Sequence, residues 1–273
     1  MKIVYHPSSA EYRFPGHPES PERVLRSCEL LSQSYQIVEP ELQPEALLLK
    51  VHTRSLLEKL KSGEFIDLDT PASPEMFSYA LLSASSAVHA ARISERENAF
   101  SLSRPPGHHA GRDFSGGFCY LNNIAIAVRT LGKKTAILDL DGHWGNGTQD
   151  IFARDPKVIY VSLNQAGSYP GEPWHAENCF NFQVPPGSPG KLYLKILERA
   201  LGIIRQFQPE LLAVSAGFDT YKEDPLLQLG LEIRDYERIS KMLSDLNLPL
   251  FAVLEGGYSE KLPECIRAFL EKL

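Results

Sequence analysis

The sequence contains few cysteines, and none of them forms a CxxC pair. The four residues stand far apart in the chain, at Cys28, Cys119, Cys179 and Cys265. This spacing provides no disulfide framework of the kind found in small secreted domains. We therefore interpret the cysteines as reduced and mostly structural, and we expect a cytoplasmic protein.

The chain also lacks a long hydrophobic run and a cluster of basic residues. No apolar segment is long enough to span a bilayer, and residues 1–6 contain no extended apolar region of the kind that signal peptides carry. The formal net charge of -6 argues against a nucleic-acid-binding surface but suits a protein that acts on basic peptides. We therefore expect direct binding to neither membranes nor nucleic acids.

The chain does contain enough hydrophobic sequence for a large core, because 43% of its 273 residues are hydrophobic. Short apolar runs alternate with helical patterns, which predicts an α/β fold with a central parallel sheet and helices on both faces. There is no internal repeat or interdomain linker, so we expect a single domain over residues 1–273. The predicted strands are residues 2–5, 97–102, 134–140, 157–163, 210–216 and 249–254. The predicted helices are residues 21–34, 76–94, 119–131, 190–207, 233–246 and 260–271.

Two carboxylates and an imidazole close the predicted strand at 134–140, in the run Leu138-Asp-Leu-Asp-Gly-His143. Asp139, Asp141 and His143 occupy alternate positions, so an extended chain directs their side chains to the same side. Buried carboxylates require a partner, a proton or a metal ion, and an imidazole nitrogen is a further metal ligand. The same pattern also occurs at loop starts and helix caps, so its interpretation as a metal site depends on the other segments.

Residues with functional side chains follow the other predicted strands as well. In open α/β sheets, sites form beyond the carboxyl ends of the strands. The segments there are Arg104-Pro-Pro-Gly-His-His109, Ala216-Gly-Phe-Asp219 and Glu255-Gly-Gly-Tyr258. Each alone is also typical of an ordinary loop, a helix cap or a turn. Together they predict a catalytic site in which Asp219 supplies a third metal ligand and a position stays open for water and substrate.

The histidine pair and the tyrosine suit acid–base chemistry beside a metal ion. Histidine titrates near neutral pH, so His108 or His109 can accept and return a proton. Asp139 and Asn146 can each orient one imidazole from behind. The phenol of Tyr258 can donate to a developing oxyanion.

Two aromatic residues in loops, Phe118 and Tyr169, are predicted to face the same edge of the sheet. The Pro/Gly-rich segment 165–173, which contains Tyr169, is a candidate wall of the site. The two rings could line an apolar channel or could pack their loops onto the core, and the sequence favours neither.

Seven segments of the chain, taken in order, resemble the histone deacetylase superfamily, which also contains bacterial acetylpolyamine amidohydrolases and acetoin-utilisation proteins. They span nearly the whole chain, and the ordered set is far more specific than any one segment. The resemblance implies an arginase-like α/β fold and zinc-dependent removal of an acyl group from an amine. The matching segments are His17-Pro-Glu-Ser-Pro-Glu-Arg23, Arg104-Pro-Pro-Gly-His-His109, Gly116-Gly-Phe-Cys-Tyr-Leu-Asn-Asn123, Asp139-Leu-Asp-Gly-His-Trp-Gly-Asn-Gly-Thr-Gln149, Ala216-Gly-Phe-Asp219, Asp224-Pro225 and Glu255-Gly-Gly-Tyr258.

The resemblance implies a role for each residue of the site. Asp141, His143 and Asp219 match the ligands of the catalytic zinc ion, a set that could also hold iron(II). His109 matches the family's general base and acid, and His108 matches its electrostatic partner. The remaining matches support these groups or line the acyl-lysine tunnel: Asp139 behind His108, Asn146 behind His109, Tyr258 beside the scissile carbonyl, and Gly117, Phe118 and Tyr169 along the tunnel.

The resemblance also implies two bound potassium ions, both held partly or wholly by backbone carbonyls. The ion near the zinc is structural, and its matching positions are Asp139, Asp141, His143, Ser162 and Leu163. The outer ion lies farther from the zinc, and its matching positions are Phe152, Asp155, Val158 and Phe180.

The chain departs from the family pattern near the zinc ligands. Trp144 stands where the family usually has a second histidine, so we expect zinc binding to survive but the floor of the site to be tighter and more apolar. Gly142 replaces a more usual branched or small apolar residue, and we expect a looser strand end. The chain is also short for the family, which predicts trimmed loops and a more open site.

One further position bears on the substrate. Polyamine-specific members with a gatekeeper glutamate carry it just after the Asp-Pro that follows the last zinc aspartate, and here that residue is Leu226. A carboxylate there would pair with a secondary ammonium, whereas a leucine cannot. We therefore expect acetyl-lysine in a peptide or protein as the substrate, with an acetylated polyamine or another small acylated amine as the alternative.

Two other functions stay open as alternatives. A catalytically weak acyl-lysine binding protein would use the tunnel without turnover, but the tyrosine, both histidines and all three metal ligands are present. A two-manganese ureohydrolase on the related arginase fold needs more metal carboxylates, and the sequence has no second Asp-rich motif. The oligomeric state is left open.

Overall fold

An eight-stranded sheet runs through the centre of the molecule, as described by a computed structural model of residues 1–273. The strands are β1 (Lys2–Val4), β2 (Gln36–Val38), β3 (Ala99–Ser101), β4 (Thr135–Asp139), β5 (Val158–Gln165), β6 (Cys179–Val184), β7 (Leu211–Ala216) and β8 (Leu250–Leu254). Their order across the sheet is β2-β1-β3-β8-β7-β4-β5-β6, and all neighbours are parallel. The predicted parallel sheet is therefore confirmed.

The two edge strands, β2 and β6, were not predicted from the sequence. β2 has only three residues, and none of them is fully buried. β6 alternates apolar and polar side chains in the run Cys-Phe-Asn-Phe-Gln-Val. Continuous apolar runs are typical of strands buried on both faces, so edge strands with an exposed face do not match that pattern.

Eight α-helices cover the two faces of the sheet. They are α1 (Glu22–Leu31), α2 (Arg54–Ser62), α3 (Met76–Ile93), α4 (Asn123–Leu131), α5 (Asn146–Phe152), α6 (Gly190–Phe207), α7 (Ile233–Ser244) and α8 (Leu262–Leu270). Helices α2 and α5 were not predicted. None of the helices combines the length and the apolar character that crossing a membrane requires.

The core consists of two layers, one on each side of the sheet. Helices α1, α6, α7 and α8 pack on one face within a cluster of 37 buried hydrophobic residues, and α2 to α5 pack on the other within a cluster of 35. Because the two faces are covered about equally, the five central strands are buried at every residue. This explains why the central strands read as continuous apolar runs.

Helix α4 begins later than the predicted helix 119–131. The side-chain oxygen of Asn122 accepts a hydrogen bond from the backbone N–H of Ala125 at 3.0 Å and so caps the first turn. The residues before this cap form a loop instead of a helical turn. That loop carries Gly117 and Phe118 to the edge of the sheet.

The strand order brings the functional segments together. Strands β3, β8, β7, β4 and β5 are neighbours in that order, so five successive carboxyl ends meet at one edge of the sheet. The segments that leave this edge include residues 102–109, 255–258, 217–219, 140–143 and 166–169. The predicted site residues therefore come from separate parts of the chain to one place, as expected for an α/β sheet.

Candidate active site

A cavity of about 570 Å³ opens at the carboxyl edge of the central strands. Its lining includes most of the residues that were predicted from the sequence, namely His108, His109, Gly117, Phe118, Asp141, His143, Tyr169, Leu226 and Tyr258. It also includes His17, Asp69, Gln165 and Leu227, for which no role was predicted. Polar groups converge here on a partly apolar pocket, the usual form of a small-ligand site.

Asp141, His143 and Asp219 form a cluster whose ligand atoms all lie within 4.8 Å of one another. His143 Nδ1 lies 3.1 Å from Asp141 Oδ1 and 2.7 Å from Asp219 Oδ2. Asp219 Oδ2 is buried and has no hydrogen-bond partner. The other oxygen of Asp219 accepts from the backbone N–H of Gly142 at 2.8 Å. An unpartnered buried carboxylate oxygen beside an imidazole nitrogen is a donor set that fits a divalent cation.

Burial and neighbouring charges shift the pKa values of this cluster. Burial, together with the charge of Asp141, raises the pKa of Asp219 to about 7. Burial alone would lower the pKa of His143, but the adjacent carboxylates of Asp141 and Asp219 outweigh it and raise the pKa to about 10. The two carboxylates therefore favour positive charge at this position, and a metal ion that bound there would displace a proton.

The two adjacent histidines each meet the partner predicted for them. His108 Nδ1 lies 3.2 Å from Asp139 Oδ2, and His109 Nδ1 lies 2.7 Å from Asn146 Oδ1. The two imidazole rings are 4.0 Å apart between centroids. Because an amide oxygen only accepts, Nδ1 of His109 carries its hydrogen, which leaves the lone pair on Nε2.

Neighbouring charges give the two histidines different protonation states. For His108, the carboxylates of Asp141 and Asp139 outweigh the effect of burial and raise the pKa to about 10. For His109, burial and the positive charges of His108 and His143 hold the pKa well below its ordinary value. His109 is therefore neutral and His108 charged near neutral pH, which suits a base beside an electrostatic partner.

Glu255 holds the loop that carries these histidines, a role that was not predicted although the residue lies in a matched segment. Its buried carboxylate accepts from the backbone N–H groups of Gly107 at 2.7 Å and His108 at 3.1 Å, and from the Ser215 hydroxyl at 3.0 Å. Glu255, His108 and Cys119 also lie within 4.8 Å of one another. Burial raises the pKa of the Cys119 thiol well above its usual value, so this second group is a poor metal site.

Tyr258 is held by contacts to its ring and to its backbone. The guanidinium of Arg23 lies 4.8 Å from the ring centroid, and Phe118 makes an edge contact with a centroid distance of 5.7 Å. Arg23 also donates to the carbonyl of Gly257 at 2.7 Å, and the N–H of Tyr258 donates to Asp224 at 2.7 Å. Burial holds the pKa of the phenol well above its usual value, so the hydroxyl keeps its proton as a hydrogen-bond donor.

Gly117, Phe118 and Tyr169 form one wall of the cavity, and this wall requires a glycine at position 117. Gly117 and Phe118 both have left-handed backbones, with φ of 55° and 69°. A Cβ at Gly117 would lie 2.6 Å from the His109 ring and 2.7 Å from the Tyr169 ring. The Tyr169 ring packs edge-on against His109 at 4.9 Å, so the missing side chain allows the tyrosine to contact the histidine.

The mouth of the cavity is exposed and partly acidic. Tyr169 and Leu226 are exposed by 47% and 40%. His17 Nε2 lies 3.0 Å from the backbone carbonyl of Asp69, which is exposed beside it. Asp69 falls in a predicted loop without a recognisable pattern, which is why its place at the mouth was not predicted.

Trp144 does not form the floor of the cavity, so that expectation is wrong. The ring is 5% exposed and belongs to the hydrophobic cluster on the α2 to α5 face. Its Nε1–H donates to the side-chain oxygen of Gln149 at 3.0 Å. Trp144 therefore points away from the metal ligands and into the core.

The expectation of a loose strand end at Gly142 is also wrong. A Cβ at this position would collide with the side chain of Leu227, which fills the space. The N–H of Gly142 donates to Asp219, and its carbonyl accepts from the N–H of Gln165 at 2.8 Å. Leu227 thus takes the volume that a larger residue at position 142 would occupy.

The two positions matched to potassium ions differ in whether their backbone carbonyls already accept hydrogen bonds. At the inner position, no backbone N–H donates to the carbonyls of Asp141 or His143, so these oxygens remain available to an ion. At the outer position, the carbonyls of Phe152, Asp155 and Val158 already accept hydrogen bonds from the Asn178 side chain. The residues therefore fit an ion at the inner position only.

The chain is similar to known proteins over most of its length. Residues 17–273 match the family model for the histone deacetylase domain. A probable deacetylase of Archaeoglobus fulgidus is 36% identical over 94% of this chain and 81% of that protein. Acetylpolyamine amidohydrolase 1 of Pseudomonas aeruginosa is 42% identical over 59% of this chain and 51% of its own length. A crystal structure of acetylpolyamine aminohydrolase from Burkholderia pseudomallei has a TM-score of 0.92 at 28% identity and covers 100% of this chain and 98% of that one.

The parallel sheet and the convergent carboxylates and imidazoles define an amidohydrolase with an arginase-like α/β fold. The chain belongs to the histone deacetylase family. The family resemblance predicted from the seven sequence segments is confirmed.

Proposed function

We propose that this chain is a zinc-dependent amidohydrolase that removes the acetyl group from the side chain of acetyl-lysine. The observation that carries the proposal is the buried oxygen of Asp219 that has no hydrogen-bond partner and faces His143 in the cluster with Asp141. The cavity that reaches this cluster also exposes a neutral imidazole and a protonated phenol. These are the groups that amide hydrolysis requires.

Asp141, His143 and Asp219 would hold the zinc ion, and iron(II) would suit the same donors. When bound, zinc supplies Lewis-acid chemistry by acidifying a coordinated water and polarising the acyl oxygen. Three protein ligands leave room for both water and substrate, as in catalytic rather than structural sites.

His109 would act as the general base and then as the general acid. Its Nδ1–H is held by Asn146, so Nε2 can take a proton from the attacking water. The resulting imidazolium can return that proton to the leaving amine. His108, held by Asp139, remains charged beside it and favours the neutral form of His109 before the reaction begins.

Tyr258 would stabilise the tetrahedral oxyanion through its phenol hydroxyl. The ring contacts both Arg23 and Phe118, so the hydroxyl needs little reorganisation to reach the developing charge. Preorganised donors of this kind act in a partly desolvated cavity, where electrostatic stabilisation is strong.

The mouth supports a lysine side chain as the acylated amine. Leu226 offers no carboxylate to an internal ammonium of a polyamine, and its exposed side chain can contact the aliphatic part of a peptide. The second candidate substrate is a small acylated amine, which is favoured by the relatives named as acetylpolyamine amidohydrolases. Asp69 would attract a cationic substrate of either class.

A structural potassium ion is part of the proposal at the inner position only. Asp139, Asp141, His143, Ser162 and Leu163 would hold it, mostly through backbone carbonyls. The free carbonyls of Asp141 and His143 support this assignment, because buried carbonyl oxygens otherwise require a donor.

We also propose that residues 1–273 act as one catalytic domain. Arg23 donates to the carbonyl of Gly257 at 2.7 Å, which joins distant parts of the sequence within the site. Removing either segment would therefore leave Tyr258 without its support.

The proposal is tested by measuring amine release from an acetyl-lysine peptide and from an acetylated polyamine, side by side, on zinc-loaded protein. Chelated protein serves as the blank. We expect metal-dependent turnover of both, with the peptide faster. Faster turnover of the polyamine would shift the assignment to small amines, and no turnover of either by zinc-loaded protein would contradict the proposal.

A further inference from the structure

Three backbone carbonyls converge on one side-chain nitrogen at the outer edge of the sheet. Asn178 Nδ2 donates to the carbonyls of Phe152 at 2.8 Å, Asp155 at 3.2 Å and Val158 at 2.9 Å. These distances are ordinary for N–H···O hydrogen bonds. The three oxygens belong to the last residue of α5, the connecting loop and the first residue of β5, and they are positions that the family resemblance matches to the outer potassium ion.

The orientation of the Asn178 amide is fixed by its other end. Oδ1 accepts a hydrogen bond from the backbone N–H of Arg154 at 2.9 Å, and the Cys179 thiol lies 3.7 Å from the same oxygen. Exchanging the two ends of the amide would turn Oδ1 toward three carbonyl oxygens and Nδ2 toward an N–H donor. Only the observed orientation satisfies every group.

A positive charge is also already present beside these carbonyls. The guanidinium of Arg129 pairs with the carboxylate of Asp155 and lies 4.7 Å from the centroid of the Phe152 ring. The only carboxylate in this loop is thereby neutralised. A second cation would enter a position where the amide hydrogens already face the oxygens and the nearby carboxylate is already paired with a guanidinium.

We infer that this chain has no outer monovalent-cation site and that the carboxamide of Asn178 replaces the ion. A ring of carbonyls that would otherwise coordinate potassium is satisfied by two amide hydrogens, which supply partial positive charge to the same oxygens. The inference concerns cation binding away from the catalytic residues and does not depend on the substrate or on turnover.

Crystals soaked in thallium(I), an anomalous scatterer that substitutes for potassium, test the inference. In the wild-type protein we expect no thallium peak among the carbonyls of Phe152, Asp155 and Val158. In Asn178→Gly we expect a peak there, because all three oxygens lose the Asn178 amide and the lone pairs that it occupied become available to a cation. In Asn178→Asp an oxygen replaces the donating nitrogen, so a cation should again be drawn in, and this variant serves if the glycine variant fails to fold.

Two crystallographic results would overturn the inference. One is a thallium peak among the three carbonyls of the wild-type protein, with the Asn178 side chain turned away. The other is an empty ring in both variants, which would mean that these carbonyls never form a cation site. Neither readout requires activity, so failure of the proposed deacetylation would leave this test unaffected.

Thermal unfolding gives an independent measurement. In choline chloride, Asn178→Gly should unfold at a temperature lower by roughly 4–8 °C, the shift expected when about two hydrogen bonds are lost. Potassium chloride at equal ionic strength should recover part of this loss, beyond any gain seen in the wild type. Asn247→Asp, an exposed asparagine, is the control and should follow the wild type. An equal gain from potassium in wild type and Asn178→Gly would contradict the inference.

Discussion

The inner end of the cavity and its mouth differ in how deeply their side chains are buried and in how many hydrogen bonds hold them. Asp139, Asp219 and Glu255 at the inner end are completely buried, and each accepts hydrogen bonds from backbone or side-chain donors. At the mouth, Tyr169 and Leu226 are exposed by 47% and 40%. The inner residues cannot change without leaving a buried charge or donor unpaired, whereas the exposed ones can.

This difference separates chemistry from substrate choice. A buried set of groups joined by hydrogen bonds preserves one reaction geometry, because its members position one another. The exposed mouth contributes little to the stability of the fold, so its residues are free to determine which amine enters. Substitutions at the inner end should therefore affect the rate, and substitutions at the mouth should affect selectivity.

The largest loss of turnover is expected from Asp219→Asn. The amide keeps the shape but removes the charge from the proposed ligand cluster, so bound zinc should be lost. Because metal catalysis supplies several kcal/mol, turnover should fall by roughly a thousandfold or more. Metal analysis by mass spectrometry and amine release measure the two effects. Zinc content and turnover equal to the wild type would exclude Asp219 as a ligand.

Tyr258→Phe should give the next largest loss of turnover. The ring and its contacts with Arg23 and Phe118 remain, but the oxyanion loses a donor, so kcat should fall by roughly 10²–10³-fold with KM little changed. Tyr35→Phe, a partly buried tyrosine outside the cavity, is the matched control. Equal losses in both variants would mean that the hydroxyl stabilises the fold and not the reaction.

His108→Gln should move the acid limb of the pH–rate profile. Burial is the larger cause of the low pKa of His109 and persists in the variant, but the positive charge of His108 is removed. The pKa of His109 should therefore rise toward its ordinary value, and the base should become protonated at higher pH. The acid limb of kcat/KM then shifts to higher pH. An unshifted limb would mean that another group controls it.

The smallest effect is expected at the mouth, from Leu226→Glu. A partly exposed carboxylate gains about 0.2–1 kcal/mol from an ammonium, so kcat/KM for an acetylated polyamine should rise roughly 1.4-fold to fivefold relative to the peptide. Leu226→Gln adds polarity without charge and should leave this ratio unchanged. A large loss of turnover on both substrates would contradict the division of roles, in which the mouth determines selectivity and the inner end determines the rate.

Much of the fold and the site could be predicted because both depend on local patterns. Continuous apolar runs identified the central strands, and functional residues at their ends identified the sheet edge. Asp141, His143 and Asp219 could be named together because the resemblance orders their segments along the chain. The structure brings these three side chains within reach of one another.

Other features depend on tertiary contacts that no local pattern contains. Trp144 follows a predicted metal ligand directly, but its ring packs in the core and does not line the cavity. The space beside Gly142 is filled by Leu227, which is remote in sequence. The amide of Asn178 satisfies three carbonyls of another segment, and side-chain patterns do not reveal where backbone oxygens converge.

The hydrogen bond from Arg23 to Gly257 also determines when a new copy of the protein becomes competent. The two residues are 234 positions apart, so at roughly 5–20 residues per second a ribosome adds them about 10–50 s apart. Throughout that interval the growing chain has Arg23 but not the loop that carries Tyr258. Catalytic capacity therefore arises in one late step of synthesis, after the metal ligands and both histidines have already been made.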